Sequence, residues 1–174
     1  MLRDVTPGDF AAILELNEES VRFLAPLTLD QLAAIHGESA YRRVFVDREG
    51  AVAFLLALRE GCAYNSLNYR WFAERYERFL YVDRIVVANS HHRRGIGEAL
   101  YVDLFDFARR TSAPCVTCEI DIEPPNEVSS RFHRRHGFEE VGTQTVAGGK
   151  KRVSLQVATL TREDPLGTGR RTRQ

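Results

Sequence analysis

Residues 79–110 read FLYVDRIVVANSHHRRGIGEALYVDLFDFARR, and their pattern decides the fold. Phe79 to Val87 is a mostly apolar run interrupted by Asp83 and Arg84, the composition of a buried strand. Ile96, Leu100, Leu104, Phe107 and Ala108 then fall on one face of a helix expected from about Arg94 to Arg110. His92-Arg93-Arg94-Gly95-Ile96-Gly97 forms the bend between strand and helix. Glycine lets the backbone come close to a ligand, and the free amides of a helix start, with the helix dipole behind them, favour an anion. The bend therefore reads as a candidate diphosphate cradle, while two glycines in a turn can also serve geometry alone. A dinucleotide loop of the Rossmann type is the rival. Its third glycine position holds Leu100 here, and such a loop follows the first strand of a βαβ unit.

Outward from this unit, Val116, Cys118, Ile120 and Ile122 alternate with Thr117, Glu119 and Asp121, the period of a strand that Pro124-Pro125 ends. Asn126 to His136 reads as a short helix stopped by Gly137, and Phe138 to Thr145 with Lys150 to Thr159 as a hairpin around Gly148-Gly149. Upstream, a strand at Leu2 to Val5 leads to Thr6 and Pro7, a cap and first-turn pair, before Ile13, Leu16, Asn17, Ser20 and Val21 at helical spacing. Thr28-Leu29-Asp30-Gln31 has the spacing of a capping box and opens a second helix through Leu32 and Ile35. Tyr41 to Asp47 and Ala51 to Leu58 are strands joined by Arg48-Glu49-Gly50, and Val52 to Leu58 is apolar throughout, so buried on both faces. Arg59 to Arg78 reads as a long aromatic loop, and the tail from Thr161 as disordered. One domain is expected over residues 1–160, with 161–174 as the tail.

The chain has 174 residues, and 44% apolar content is enough for a sizeable single core. Lys plus Arg and Asp plus Glu each total 24, so no global field draws the protein to nucleic acid or anionic lipid. The N-terminus lacks the basic start and apolar run of a signal peptide, and no stretch is apolar for long enough to span a bilayer; a cytoplasmic protein is expected. Cys115 and Cys118 have the spacing of a zinc or redox pair, but on a strand residues three apart point to opposite faces, so they read as core residues. His133 and His136 share a helical face, yet nearby arginines oppose a metal cation, and no metal is expected.

Taken together, His92 to Gly97 and Asn126 to Phe138 resemble the GNAT superfamily of N-acetyltransferases. In that family a strand precedes a Gln/Arg-x-x-Gly-x-Gly/Ala loop and helix, and a later strand leads to a helix patterned Asn-x-x-Ser/Ala-x-x-Phe-Tyr-x-Lys-x-Gly-Phe. The order of elements from Leu2 to Thr159 matches as well. The resemblance implies an α/β (α+β) fold: a mixed, mostly antiparallel sheet of about seven strands flanked by four helices, with a splayed strand pair forming the acetyl-CoA cleft. It implies acetyl-CoA as the cofactor, with backbone contacts from Ile85, Val86 and Val87. His92, Arg93, Arg94, Gly95, Ile96, Gly97 and Glu98 would hold the diphosphate, with Asn126, Ser129, Phe132 and Arg135 also touching the coenzyme. It further implies an amine acceptor, small molecule or peptide, and, since the family commonly dimerises, a homodimer as one assembly. His92 stands in place of Gln or Arg, Arg135 in place of Lys, and His133 in place of a Tyr that in many relatives lies near the coenzyme sulfur.

Direct attack of an amine on a thioester needs an ammonium proton removed, an oxyanion stabilised and a thiolate protonated. Against a thiol of pKa roughly 8.5, Tyr near 10 is a suitable donor, whereas imidazolium near 6.5 is scarce at neutral pH. His133 is useful as an acid only where its surroundings raise its pKa; otherwise it is a helix histidine among arginines. Asp83 interrupts an apolar strand and needs either a site or a cation such as Arg84. Glu119 and Asp121 share a strand face, and Glu119, deeper in the strand, is the better base of the two. Asn68, Tyr69, Arg70, Trp71 and Phe72 would form an aromatic wall with a cation for the acceptor. Two other classes stand beside the enzyme: an acyl-CoA-binding regulator that has lost catalysis, and a nucleic-acid binder using Arg131, Arg134, Arg135 and the tail arginines, which the balanced charge disfavours.

Overall fold

A computed structural model describes residues 1–160. The expected disordered tail, 161–174, lies outside the described residues. Seven strands, β1 (Leu2–Asp4), β2 (Tyr41–Asp47), β3 (Gly50–Arg59), β4 (Leu80–Val87), β5 (Cys115–Glu123), β6 (Glu139–Val146) and β7 (Lys151–Thr159), form one sheet in the order β1-β2-β3-β4-β5-β7-β6. Every neighbouring pair is antiparallel except β4 and β5, which run parallel. The helices are α1 (Phe10–Glu18), α2 (Leu29–Glu38), α3 (Leu67–Ala73), α4 (Ile96–Arg110) and α5 (Glu127–Arg135).

The expected mixed, mostly antiparallel sheet is therefore present, with one correction. Helix α3 lies inside the segment read as a loop, which makes five helices and not four. Seven residues give no visible period. The segment is helical because Ser66 caps it, accepting from the Tyr69 amide, and because Tyr69 and Phe72, three apart, bury together against Phe79, Tyr81, Leu155 and Val157.

Helices cover both faces of the sheet. Along β2, Tyr41 and Arg43 reach Asp103 of α4, while Arg42 between them reaches the His36 and Ser39 carbonyls at the end of α2. Alternation along a strand then puts α2 and α4 on opposite faces. Between these layers Val52 to Leu58 of β3 is buried without a break, as its sequence requires. The Thr28 and Gln31 pair closes its capping box: the Thr28 hydroxyl accepts from the Gln31 amide and the Gln31 side chain accepts from the Thr28 amide. Cys115 and Cys118 are buried in separate apolar clusters, as residues three apart on a strand must be.

Two departures from regular geometry build the cleft. Strands β4 and β5 pair only through Leu80 with Val116 and Tyr81 with Thr117, and beyond that point they diverge. The β3–β4 register also slips, with Leu56 opposite Arg84 and Ala57 opposite Val82, leaving Asp83 as the extra residue of a bulge.

Candidate active site

The bend after β4 is held in a conformation few residues adopt. Arg93 (φ 63°) and Gly95 (φ 76°) are both left-handed, and Gly95 is the N-cap of α4. The first helical bond runs from the Ala99 amide to the Gly95 carbonyl, so the amides of Ile96, Gly97 and Glu98 have no acceptor within the helix. A Cβ at Gly95 would meet nothing within 4 Å, so the space beside the N-cap is open. Free amides, a helix dipole and open space fit a diphosphate. Gly97 also serves packing: a Cβ there would stand 3.2 Å from the Phe132 ring, so glycine lets α5 sit close on α4.

Behind the bend, β4 offers backbone groups to the gap. The Ala88 amide donates to Val52 of β3, so by alternation Val86 also points toward β3, whereas Ile85 and Val87 turn their amides and carbonyls to the side where β5 has left. The expected backbone contact at Val86 is thereby corrected. His92 donates from Nε2 to the Val87 carbonyl (2.9 Å), which pins the bend to the strand. Arg93, Arg94 and Arg135 are exposed; Glu98, also exposed, lies 3.1 Å from His136 Nε2. Asn126 caps α5, accepting from the Ser129 amide through its side chain, and Phe132 fills the crossing at Gly97.

Carboxylates gather on the opposite face of the fork, the side of α1 and α3. Thr117 is the last β5 residue paired with β4, and Glu119, the next on its face, stands where the gap opens. Its carboxylate accepts from the Tyr81 hydroxyl (2.7 Å), with the Asn68 side chain close by, and Gln144 in turn donates to Asn68 (2.9 Å). Burial, with Asp83 nearby, pushes the Glu119 pKa up to about 7, against the pull of the Tyr81 hydrogen bond. The buried Thr117 hydroxyl beside it has no hydrogen-bond partner among the described residues.

The other acids are spoken for. The bulge turns Asp83 and Arg84 to the same face, where Arg84 Nε meets the Asp83 carboxylate at 2.6 Å with both side chains buried. Tyr64 donates to the second Asp83 oxygen, and Arg84 also donates to Asn17 of α1 (2.7 Å). Asp83 is thus the structural partner of Arg84, and the expectation of it as a base is corrected. Asp121 is paired with Lys151 (2.7 Å). Asp83→Asn should lower stability by about 2–3 kcal/mol in denaturant melts and, because the Asp83 charge helps raise Glu119, move the acid limb of the rate profile to lower pH without abolishing it; loss of the limb altogether would return Asp83 to the role of base.

His133 is neither a surface residue nor an acid. It is buried, its Nδ1 donates to the Ser129 carbonyl (2.8 Å), and the Tyr101 hydroxyl donates to its Nε2 (2.7 Å). The acceptor role at Nε2 requires the neutral ring, and burial lowers the pKa to about 4. This corrects the expectation of an imidazolium that protonates the thiolate; the residue clasps α5 to α4.

The expected aromatic wall is also divided. Tyr69 and Phe72 are buried in the core under α3, the Tyr69 hydroxyl donating to the Arg59 carbonyl. Trp71 lies flat on Gly142 of β6 with Arg75 stacked on its ring at 4.1 Å, and Arg70 is exposed. Only Asn68 reaches the site, through Glu119. Sequence reading missed Tyr81, Tyr64, Tyr101 and Lys151. A tyrosine inside a buried strand needs a partner for its hydroxyl, and that was the signal for Tyr81.

No helix among the described residues is long and apolar enough to cross a membrane. Residues 12–138 match the sequence model of the acetyltransferase (GNAT) family. A stretch of 66 residues is 39% identical to a phosphinothricin N-acetyltransferase of Streptomyces coelicolor, spanning 38% of this chain and 37% of that protein. The fold superposes on the ribosomal-protein-S18-alanine N-acetyltransferase of Escherichia coli with a TM-score of 0.69 at 16% identity, over 96% of this chain and 99% of that one. The ribosomal-protein-alanine N-acetyltransferase of Brucella melitensis gives 0.69 at 20% identity, over 92% and 99%.

Proposed function

The chain belongs to the acetyltransferase (GNAT) family, and from that premise we propose that it transfers the acetyl group of acetyl-CoA to a primary amine by direct attack, with Glu119 as general base. Bound acetyl-CoA supplies a thioester carbonyl open to a nucleophile. The amides of Ile96, Gly97 and Glu98 hold its diphosphate, and the Ile85 and Val87 backbone groups orient the arm that enters the gap between β4 and β5. Glu119, two residues beyond the last paired position, takes the ammonium proton of the acceptor on the other face.

One observation carries this reading: the only carboxylate at the mouth of the fork without a cationic partner among the described residues, Glu119, has a pKa of about 7. A base poised near neutrality is ionised often enough to act and basic enough to take a proton. Phosphinothricin and ribosomal-protein alanine, named for the relatives, both present a primary amine to such a base. An amine panel assayed for thiol release from acetyl-CoA tests the proposal; no release with any amine refutes it.

His133 is assigned to helix packing and not to proton donation. Coenzyme A departs as a thiolate that takes its proton from solvent, so no imidazolium donor is needed. His133→Phe should therefore leave the shape of the pH profile unchanged and lose about 1–3 kcal/mol of stability, since the Tyr101 hydroxyl loses its partner in the core. A changed pH profile with unchanged stability would restore His133 as the acid.

A further inference from the structure

Resting on the acetyl-transfer reading, we infer that the acceptor is a compact small-molecule amine and not the N-terminus of a polypeptide. The face from which Glu119 is approached is tied shut on three sides. At the open end of the fork, Lys151 Nζ donates both to Asp121 (2.7 Å) and to the Phe23 carbonyl (3.0 Å), joining β7 and β5 to the segment between α1 and α2. On the β4 flank, Arg84 is hydrogen-bonded to Asn17 of α1. On the remaining flank, Gln144 of β6 donates to Asn68 of α3, and Trp71 closes down on Gly142.

The strap sets a length. Asp121 lies two residues from Glu119 on one strand face, about 7 Å along the strand. An extended polypeptide advances about 3.3–3.6 Å per residue, so a chain whose terminal amine sits at Glu119 and which leaves along β5 toward Asp121 meets Lys151 by about its second residue. A molecule with a handful of atoms beyond its amine fits inside that distance.

Charge serves either acceptor alike: Asp83 and Asp121 are neutralised by Arg84 and Lys151, which leaves Glu119 to receive a cationic amine, so the strap sets the size. Undoing the strap without leaving a buried unpaired carboxylate requires two changes, Lys151→Met with Asp121→Asn, because Asp121 is largely buried.

The test measures kcat/KM for thiol release with low-molecular-weight primary amines and with octapeptides bearing free N-termini. The wild-type protein is expected to favour its best small amine over any peptide by about a hundredfold or more, and the double variant to narrow that gap at least about tenfold by gaining on peptides. A conjugate of coenzyme A joined through its acetyl group to a peptide N-terminus, titrated calorimetrically, should bind the wild type no more tightly than coenzyme A itself. Peptides used as well as small amines by the wild type, or a conjugate that binds tenfold better than coenzyme A, overturn the inference while leaving acetyl transfer intact. Coenzyme binding without thiol release from any acceptor would overturn the acetyl-transfer reading, and this inference with it.

Discussion

Glu119→Gln is expected to lower kcat/KM by roughly 10²- to 10³-fold and to abolish the rise in rate through about pH 7. Glutamine can still accept from Tyr81, so the local geometry survives while the proton acceptor is lost. The sign of the pH dependence follows from the direction of the shift. A carboxylate raised by burial is protonated and idle below about pH 7 and ionised above it, so activity climbs with pH and then levels. The same shift has an opposite consequence for stability. The folded state holds the Glu119 proton more tightly than the unfolded chain does, so this group's stabilisation is fully present below the unfolded pKa of 4.5 and fades as pH rises through about 7. At pH 8 the Gln variant, relieved of a buried charge, should melt at a higher temperature than the wild type even as it turns over far more slowly. A variant that is both inactive and less stable at pH 8 would show that Glu119 is structural.

Gly95→Glu should weaken coenzyme A binding by at least about a hundredfold. Two effects add. The substitution places a side chain at a left-handed position, φ 76°, and it sets a carboxylate in the open space beside the α4 N-cap. Gly95→Ala separates them, since it carries the conformational cost, about 1–2 kcal/mol, without the charge. Calorimetric titration should rank wild type, then Ala, then Glu, with the larger step between Ala and Glu. Equal affinity for Ala and Glu would mean that charge at the bend is irrelevant and that the diphosphate lies elsewhere.

How much of this was legible in the sequence depended on whether the signal was local. The strand, bend and helix of residues 79–110 announce themselves through period and glycine placement, and β3 through an unbroken apolar run. Glu119 and Asp121 are assigned one face by alternation alone. Helix α3 was not legible, because its seven residues are held by contacts of Tyr69 and Phe72 with strands distant in sequence. The roles of Asp83 and Val86 turned on the bulge and on which side β5 leaves, both properties of strand pairing. That Gly97 also receives the Phe132 ring was not legible, because nothing in its own segment reveals that contact. His133 was misplaced for a similar reason: its partner, Tyr101, sits on another helix at a position where the sequence pattern shows only a buried aromatic.

The most direct measurement is a crystal structure of the protein with coenzyme A. The diphosphate should lie on the amides of Ile96, Gly97 and Glu98, the pantetheine on the backbone of Ile85 and Val87, and the sulfur in the fork within a few ångströms of Glu119. Coenzyme bound away from the α4 N-terminus, or a sulfur on the far side of β4 from Glu119, would contradict the assignment of both the cradle and the base.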